Sequence, residues 1–234
     1  MKRVLFIFLI IYSSVTCAQK KWDYPIKPGT KEWATIETGE QMLKVCQIPS
    51  DVLDTISTKE LVNLCLNYPL FNDYVASNDE REGINVIIKN FNGLLELSKR
   101  KDCIEELIKA YADFPVISQV QNDITSKNFD IPYKLSFLEL VLSDSIFLNR
   151  MNNDELEELR KISVNKYEDK LQNANVYSLY SIKKTMLLSV VIMKKENIKG
   201  KSIEKQTAIN AFIDNYNHPD SNTLTEISKI IVEK

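Results

Sequence analysis

Glycine is scarce in this chain: five in 234 residues, at positions 29, 39, 83, 93 and 200. They are too scattered for either common phosphate-binding spacing, so nucleotide-dependent chemistry is not expected. Histidine is scarcer still. The single imidazole, His218 in "NYNHPDSN", excludes two-histidine zinc motifs and leaves a nucleophile only a loop histidine as base. There is no Gly-x-Ser-x-Gly elbow and no Cys-x-x-Cys pair for zinc. "NDYVASNDE", residues 72–80, lacks the alternation and turn glycine of a calcium loop. Neither a metal nor a cofactor is expected. A basic excess is also missing: 30 Lys and Arg stand against 32 Asp and Glu, for a formal net charge of −2. A nucleic-acid binder would carry a basic stripe, so nucleic acid is not an expected partner.

Long apolar runs are absent too. The longest are "VLFIFLIIY", Val4 to Tyr12, and "MLLSVVIM", Met186 to Met193; both are too short to span a bilayer. The first follows Lys2 and Arg3 and precedes small and polar residues, Ser13 to Ala18. That order of charge, apolar run and small residues is a secretory signal peptide, so residues 1–18 are expected to leave and the protein to be exported. Thr16-Cys17-Ala18 before Gln19 fits a small-x-small cleavage site. The competing reading is lipidation of Cys17, which would tether the protein to the envelope, although Ser14 and Thr16 match a lipoprotein signal poorly. Loss of Lys2 and Arg3 takes the formal net charge from −2 to −4. A periplasmic or extracellular location follows from release, an envelope location from the lipid anchor.

What the sequence does have is apolar spacing of helical period from end to end, with almost no strand-like alternation. The expected fold is all-α, an irregular stack of antiparallel helix pairs resembling a solenoid without a clean repeat. Residues 19–37 form an extended arm rich in aromatics and proline ("WDYPIKP", residues 22–28) plus a first short helix. Residues 38–234 form one helical domain, with candidate sub-lobes at 38–115 and 132–234. Helices are expected near 31–36, 39–46, 50–56, 58–67, 79–98, 102–114, 134–150, 153–173, 176–195, 201–216 and 223–233. Four pairs have capping-box spacing: Thr38 with Gln41, Ser57 with Glu60, Ser77 with Glu80 and Thr223 with Glu226. Prolines 49, 69, 115, 132 and 219 mark boundaries between periodic runs. The helices around Leu135–Phe147 and Met186–Met193 are apolar on most faces, as buried helices are.

The segment Lys27 to Tyr74 carries a Pro28-Gly29-Thr30, Glu32-Trp33 opening, then Cys46-Gln47-Ile48-Pro49, then Ser57 to Val62 and Tyr68-Pro69-Leu70. It resembles a family of uncharacterised secreted bacterial proteins, more loosely through Asn90–Asp102. The resemblance implies an exported helical domain and carries no catalytic residues with it.

Four sets of residues hold candidate chemistry. Glu139 borders an apolar stripe, where burial would raise its pKa and suit a general acid; a salt-bridged carboxylate at the core margin is the plainer alternative. Trp22, Tyr24 and Trp33 are the candidate binding residues, since exposed rings stack on sugars or partner side chains; they would otherwise anchor the arm. Cys46 and Cys65, on neighbouring helices, are the candidate disulfide, the alternative being buried free thiols. Cys17 is the candidate lipidation site. The expectation is an exported, non-enzymatic interaction or scaffold protein for a protein, peptide or glycan. A carboxylate-dependent hydrolase of cell-wall or dietary polymers and a structural envelope lipoprotein are the alternatives.

Overall fold

The computed structural model describes residues 22–115, 131–196 and 202–233. It is all-α, about 71% helical, with twelve α-helices and no strand among the described residues. They are α1 (Gly39–Val45), α2 (Ser50–Thr55), α3 (Thr58–Leu66), α4 (Glu80–Asn90), α5 (Asn92–Leu97) and α6 (Cys103–Asp113). After residues 116–130, which lie outside the description, come α7 (Ile131–Ser143), α8 (Ser145–Leu148), α9 (Asn153–Gln172), α10 (Leu179–Lys195), α11 (Ile203–Asp214) and α12 (Ser221–Val232). Short 3-10 turns occur at Trp33–Thr35 and Phe71–Ala76. Residues 1–18, the expected signal peptide with Cys17, also lie outside the described residues.

Local chemistry explains where the expected helices differ. The span 79–98 divides at Phe91, which is extended (φ −107°, ψ 113°) and fully buried. The side chain of Asn92, next in line, bonds both to the amide of Ile48 (3.0 Å) and to its carbonyl (2.7 Å). The backbone amide of Asn92 in turn donates to Gln47 Oε1 at 2.9 Å. Continuing the helix through this point would break that clamp. The span 134–150 divides at Asp144, whose carboxylate accepts the amide of Ile146 at 2.8 Å and starts a new turn. Pro132 sits inside the first turn of α7 instead of before it, where a missing N–H is tolerated. The expected helix 31–36 is only the 3-10 turn at 33–35.

Of the four cap pairs, Thr38 with Gln41 is a full capping box. Ser57 caps the amide of Glu60, but the Glu60 carboxylate accepts the Ser57 hydroxyl. In the other two pairs an aspartate takes the role: Asp79 caps α4 and Asp220 caps α12. A carboxylate is the stronger acceptor for an orphan amide and favours the positive end of the helix dipole.

α10 packs against α7 and α9, α6 against α9, and α4 against the 3-10 turn at 71–76 and α7. One contiguous buried cluster runs from Tyr24 to Ile231 and includes an unbroken buried stretch of α7, Leu135 to Leu142. Arg100 donates to the carbonyls of Ile56 and Leu53, both at 2.7 Å. Arg150 donates to those of Ser98 and Arg100. Helix ends that would leave carbonyls orphaned are thereby satisfied.

The close approach of α4 to the 3-10 turn turns on Gly83. A Cβ there would lie 2.7 Å from both Cα and O of Tyr74. Gly83→Ala gains about 1 kcal/mol of helix propensity but forces two backbones apart, an overpacking cost of about 1–3 kcal/mol. The net effect expected in urea denaturation is destabilisation.

Candidate functional site

Two polar arrangements stand out, one buried and one open. The buried one is a seam where α7, α9 and α10 meet. Glu139 is fully buried. Its Oε1 accepts from Tyr111 Oη (3.0 Å), Thr185 Oγ1 (2.7 Å) and Lys170 Nζ (3.0 Å), and its Oε2 accepts from Lys170 Nζ (2.8 Å). Lys170, equally buried, also donates to the Ser181 carbonyl at 3.2 Å and lies 5.6 Å from the Tyr177 ring centre. Ser136 with Ser181 and Ser163 with Ser189, each 3.1 Å apart, extend the seam. Burial lowers the Lys170 pKa, opposed by Glu139.

A second buried pair lies nearby. Lys184 Nζ is 2.9 Å from Glu80 Oε1, and Tyr216 donates to Glu80 Oε2 at 3.0 Å. Burial brings the Lys184 ammonium down to about 8, against the pull of Glu80.

A general acid must touch its substrate, whereas Glu139 is closed off from solvent by donors and by an ammonium. Its nearest charged neighbour is a lysine, not a second carboxylate, so the arrangement lacks the acid pair of a glycosidase. Among the described residues no group of His, Cys, Asp and Glu could hold a metal ion, and no helix is long and apolar enough to cross a membrane. His218 is exposed in its loop.

The open arrangement is a cleft of about 600 Å³ between the N-terminal arm, α3 and the start of α7. The sequence Lys27-Pro28-Gly29-Thr30 makes its outer turn. The Thr30 amide donates to the Lys27 carbonyl at 3.0 Å, and Gly29 takes φ +92°. Proline before a glycine of positive φ is the type II pattern, which a residue bearing Cβ enters only with strain. Inside the turn, Tyr24 is buried and donates its hydroxyl to the Leu64 carbonyl at 3.0 Å. Its ring meets Tyr68 edge-on at 6.4 Å, and Tyr68 stacks on Phe91 at 3.9 Å. Tyr24 is thus the bolt that fastens the arm to the body.

That bolt holds Trp22 in place, edge-on to Tyr24 at 4.9 Å. Half-buried Trp22 and Phe71 line the cleft. The polar part of the lining includes Asn63 on α3 and Asn67 at its C-cap, one turn apart, with Asp23, Lys27 and Lys134. Lys27 pairs with Asp23 at 2.7 Å, and Lys134 donates to Asn67 Oδ1 at 2.8 Å. Of the three aromatic candidates, Trp22 alone combines exposure with a place in this lining. Tyr24 lies beneath it, and Trp33 packs against the core elsewhere.

Sequence reasoning missed Asn63, Asn67, Phe71 and Lys134, because nothing local joins residue 134 to residues 63–71. It also missed Lys170. A signal was present there: Ser163, Lys166 and Lys170 occupy core-facing positions of α9, at the same spacing as Leu156 and Leu159.

The candidate Cys46–Cys65 disulfide is not formed. Cys46, Cys65 and Cys103 are free, buried thiols within the apolar core. Burial raises all three thiol pKa values, that of Cys46 to about 11.

No protein-family profile, curated protein or solved structure matches this chain.

These environments make two outcomes measurable. Lys170→Met leaves a buried carboxylate unpaired and should cost about 3–5 kcal/mol in urea denaturation, whereas Glu139→Leu combined with Lys170→Met should recover most of that loss. For Cys46, the folded pKa lies above the ordinary thiol value of 9.0. Its contribution is therefore complete below about pH 9 and is lost as pH rises through about 11. Cys46→Ala should accordingly flatten the alkaline fall in unfolding free energy across that window.

Proposed function

We propose that this protein is an exported, non-enzymatic interaction module that uses the cleft between its N-terminal arm and its helices to hold a ligand. The observation that carries the reading is the placing of Trp22. Its indole is kept half-exposed at the cleft by an arm fastened through the buried Tyr24. A ring held this way loses little freedom when a ligand stacks on it, and preorganisation of that kind favours binding. The cleft falls within the size range of small-ligand sites and mixes apolar walls with a few polar groups. The enclosure of Glu139 by Lys170, Tyr111 and Thr185 supports a non-catalytic role for the most suggestive carboxylate of the sequence.

Export rests on the signal-peptide pattern of residues 1–18. The intact mass of protein isolated from its host should correspond to a chain beginning at Gln19; an acylated Cys17 start would mean a tethered form. For the binding role, the chain carries two tryptophans, so 5-fluorotryptophan labelling gives two 19F resonances. On addition of soluble envelope peptides, proteins or glycans, a saturable shift of the Trp22 resonance is expected, with Trp33 unmoved and the added compound recovered intact. Turnover of the compound, or no response at Trp22 across all three classes, would count against the reading.

A further inference from the structure

The chemistry of the cleft narrows the ligand class; this step rests on the cleft being the binding surface. We propose that the cleft takes a short oligosaccharide. A sugar ring presents an apolar face of C–H groups and an edge of hydroxyls that each donate and accept. The cleft offers the counterpart to both. Trp22 and Phe71 supply aromatic surface, while Asn63, Asn67, Asp23 and Lys134 interleave donors and acceptors along the polar lining. An amide side chain carries two donors and an acceptor with two lone pairs. Asn67 Nδ2 donates to the Asn63 backbone carbonyl at 2.8 Å and to Asn63 Oδ1 at 3.3 Å, while Asn67 Oδ1 accepts from Lys134. These bonds orient the pair so that the Asn63 amide N–H groups can donate to a sugar hydroxyl.

Other ligand classes fit less well. A lipid chain would bury the asparagines, the Asp23–Lys27 pair and Lys134 of the lining against hydrocarbon, at a desolvation cost. A polyanion meets Asp23 in the lining, 2.7 Å from the Lys27 ammonium. A peptide adding as a β-strand needs a sheet edge, and there is no strand among the described residues. A proline-rich peptide laid on Trp22 is the nearest competitor, since aromatic grooves also take that helix. It would use the rings but has few donors for the amide pair.

The test uses the full chain with Trp33→Phe, which leaves Trp22 as its one indole. Emission is followed while trisaccharides built from glucose, xylose, mannose or N-acetylglucosamine are titrated into the millimolar range, with a proline-rich decapeptide in parallel. The expected result is a saturable emission change with at least one trisaccharide, weakened about tenfold or more by Asn63→Ala. Asn63 is exposed on α3, so circular dichroism and the melting temperature should be unchanged in that variant. Binding measured calorimetrically in Trp22→Phe should fall but persist, because a smaller ring still stacks. If no trisaccharide binds while the peptide moves Trp22, the sugar assignment is wrong and the cleft remains a binding site. If neither binds, the sugar assignment falls, and the cleft reading falls with it when envelope proteins also leave Trp22 unmoved. If a trisaccharide binds and is hydrolysed, the sugar assignment holds and the non-enzymatic reading fails.

Discussion

The ion pair between Glu139 and Lys170 constrains the rest of the structure. A carboxylate and an ammonium, both fully buried, are tolerable only when their remaining hydrogen-bonding capacity is met. Meeting it takes four helices at once. α7 brings Glu139, α9 brings Lys170, α10 brings Thr185 and the Ser181 carbonyl, and α6 brings Tyr111. A one-turn slip of α7 or α9 would strand a buried charge, and a slip of α6 or α10 would remove one of its neutral hydrogen-bond partners. Such a pair contributes little net stability, but removing one partner leaves the other charge buried and unpaired.

The second pair ties distant parts of the chain to that frame. Glu80 opens α4, Lys184 lies on α10, and Tyr216 follows α11. Beside them, Arg81 donates to the Ile213 carbonyl at 2.7 Å. The N-terminal helices are thus bonded to the C-terminal ones through buried polar groups as well as through the continuous apolar core. The cleft inherits its shape from this arrangement. Gly83 of α4 sets the position of the 3-10 turn that carries Phe71. The same helix that holds Glu139 in the core presents Lys134 at the cleft, little more than one turn earlier.

Several features of the fold are legible in the order of residues alone. Helical periodicity gives the all-α class and most element positions. The Thr38–Gln41 box is readable because both of its partners lie within one turn. Ser77 and Thr223 mislead for a specific reason: the helices start elsewhere, with Asp79 taking the amide of Arg81 and Asp220 that of Thr223 itself, so Ser77 lies before the cap and Thr223 inside the first turn. The break at Phe91 cannot be read locally. It depends on Asn92 reaching Gln47 and Ile48, more than forty residues back in the sequence.

By itself, then, the sequence determined what short-range physics controls: backbone periodicity, the Thr38 and Ser57 caps, and the absence of the spacings that nucleotide or zinc sites require. Only the tertiary structure decided what Glu139 is for, because its partner Lys170 is thirty-one residues away. Between a solvent-facing acid and a buried ion pair, the difference is desolvation, which depends on what packs over the group. The same physics left the cysteines as separate buried thiols. It sent Tyr24 into the core while keeping Trp22 at the cleft, although both belong to one short arm.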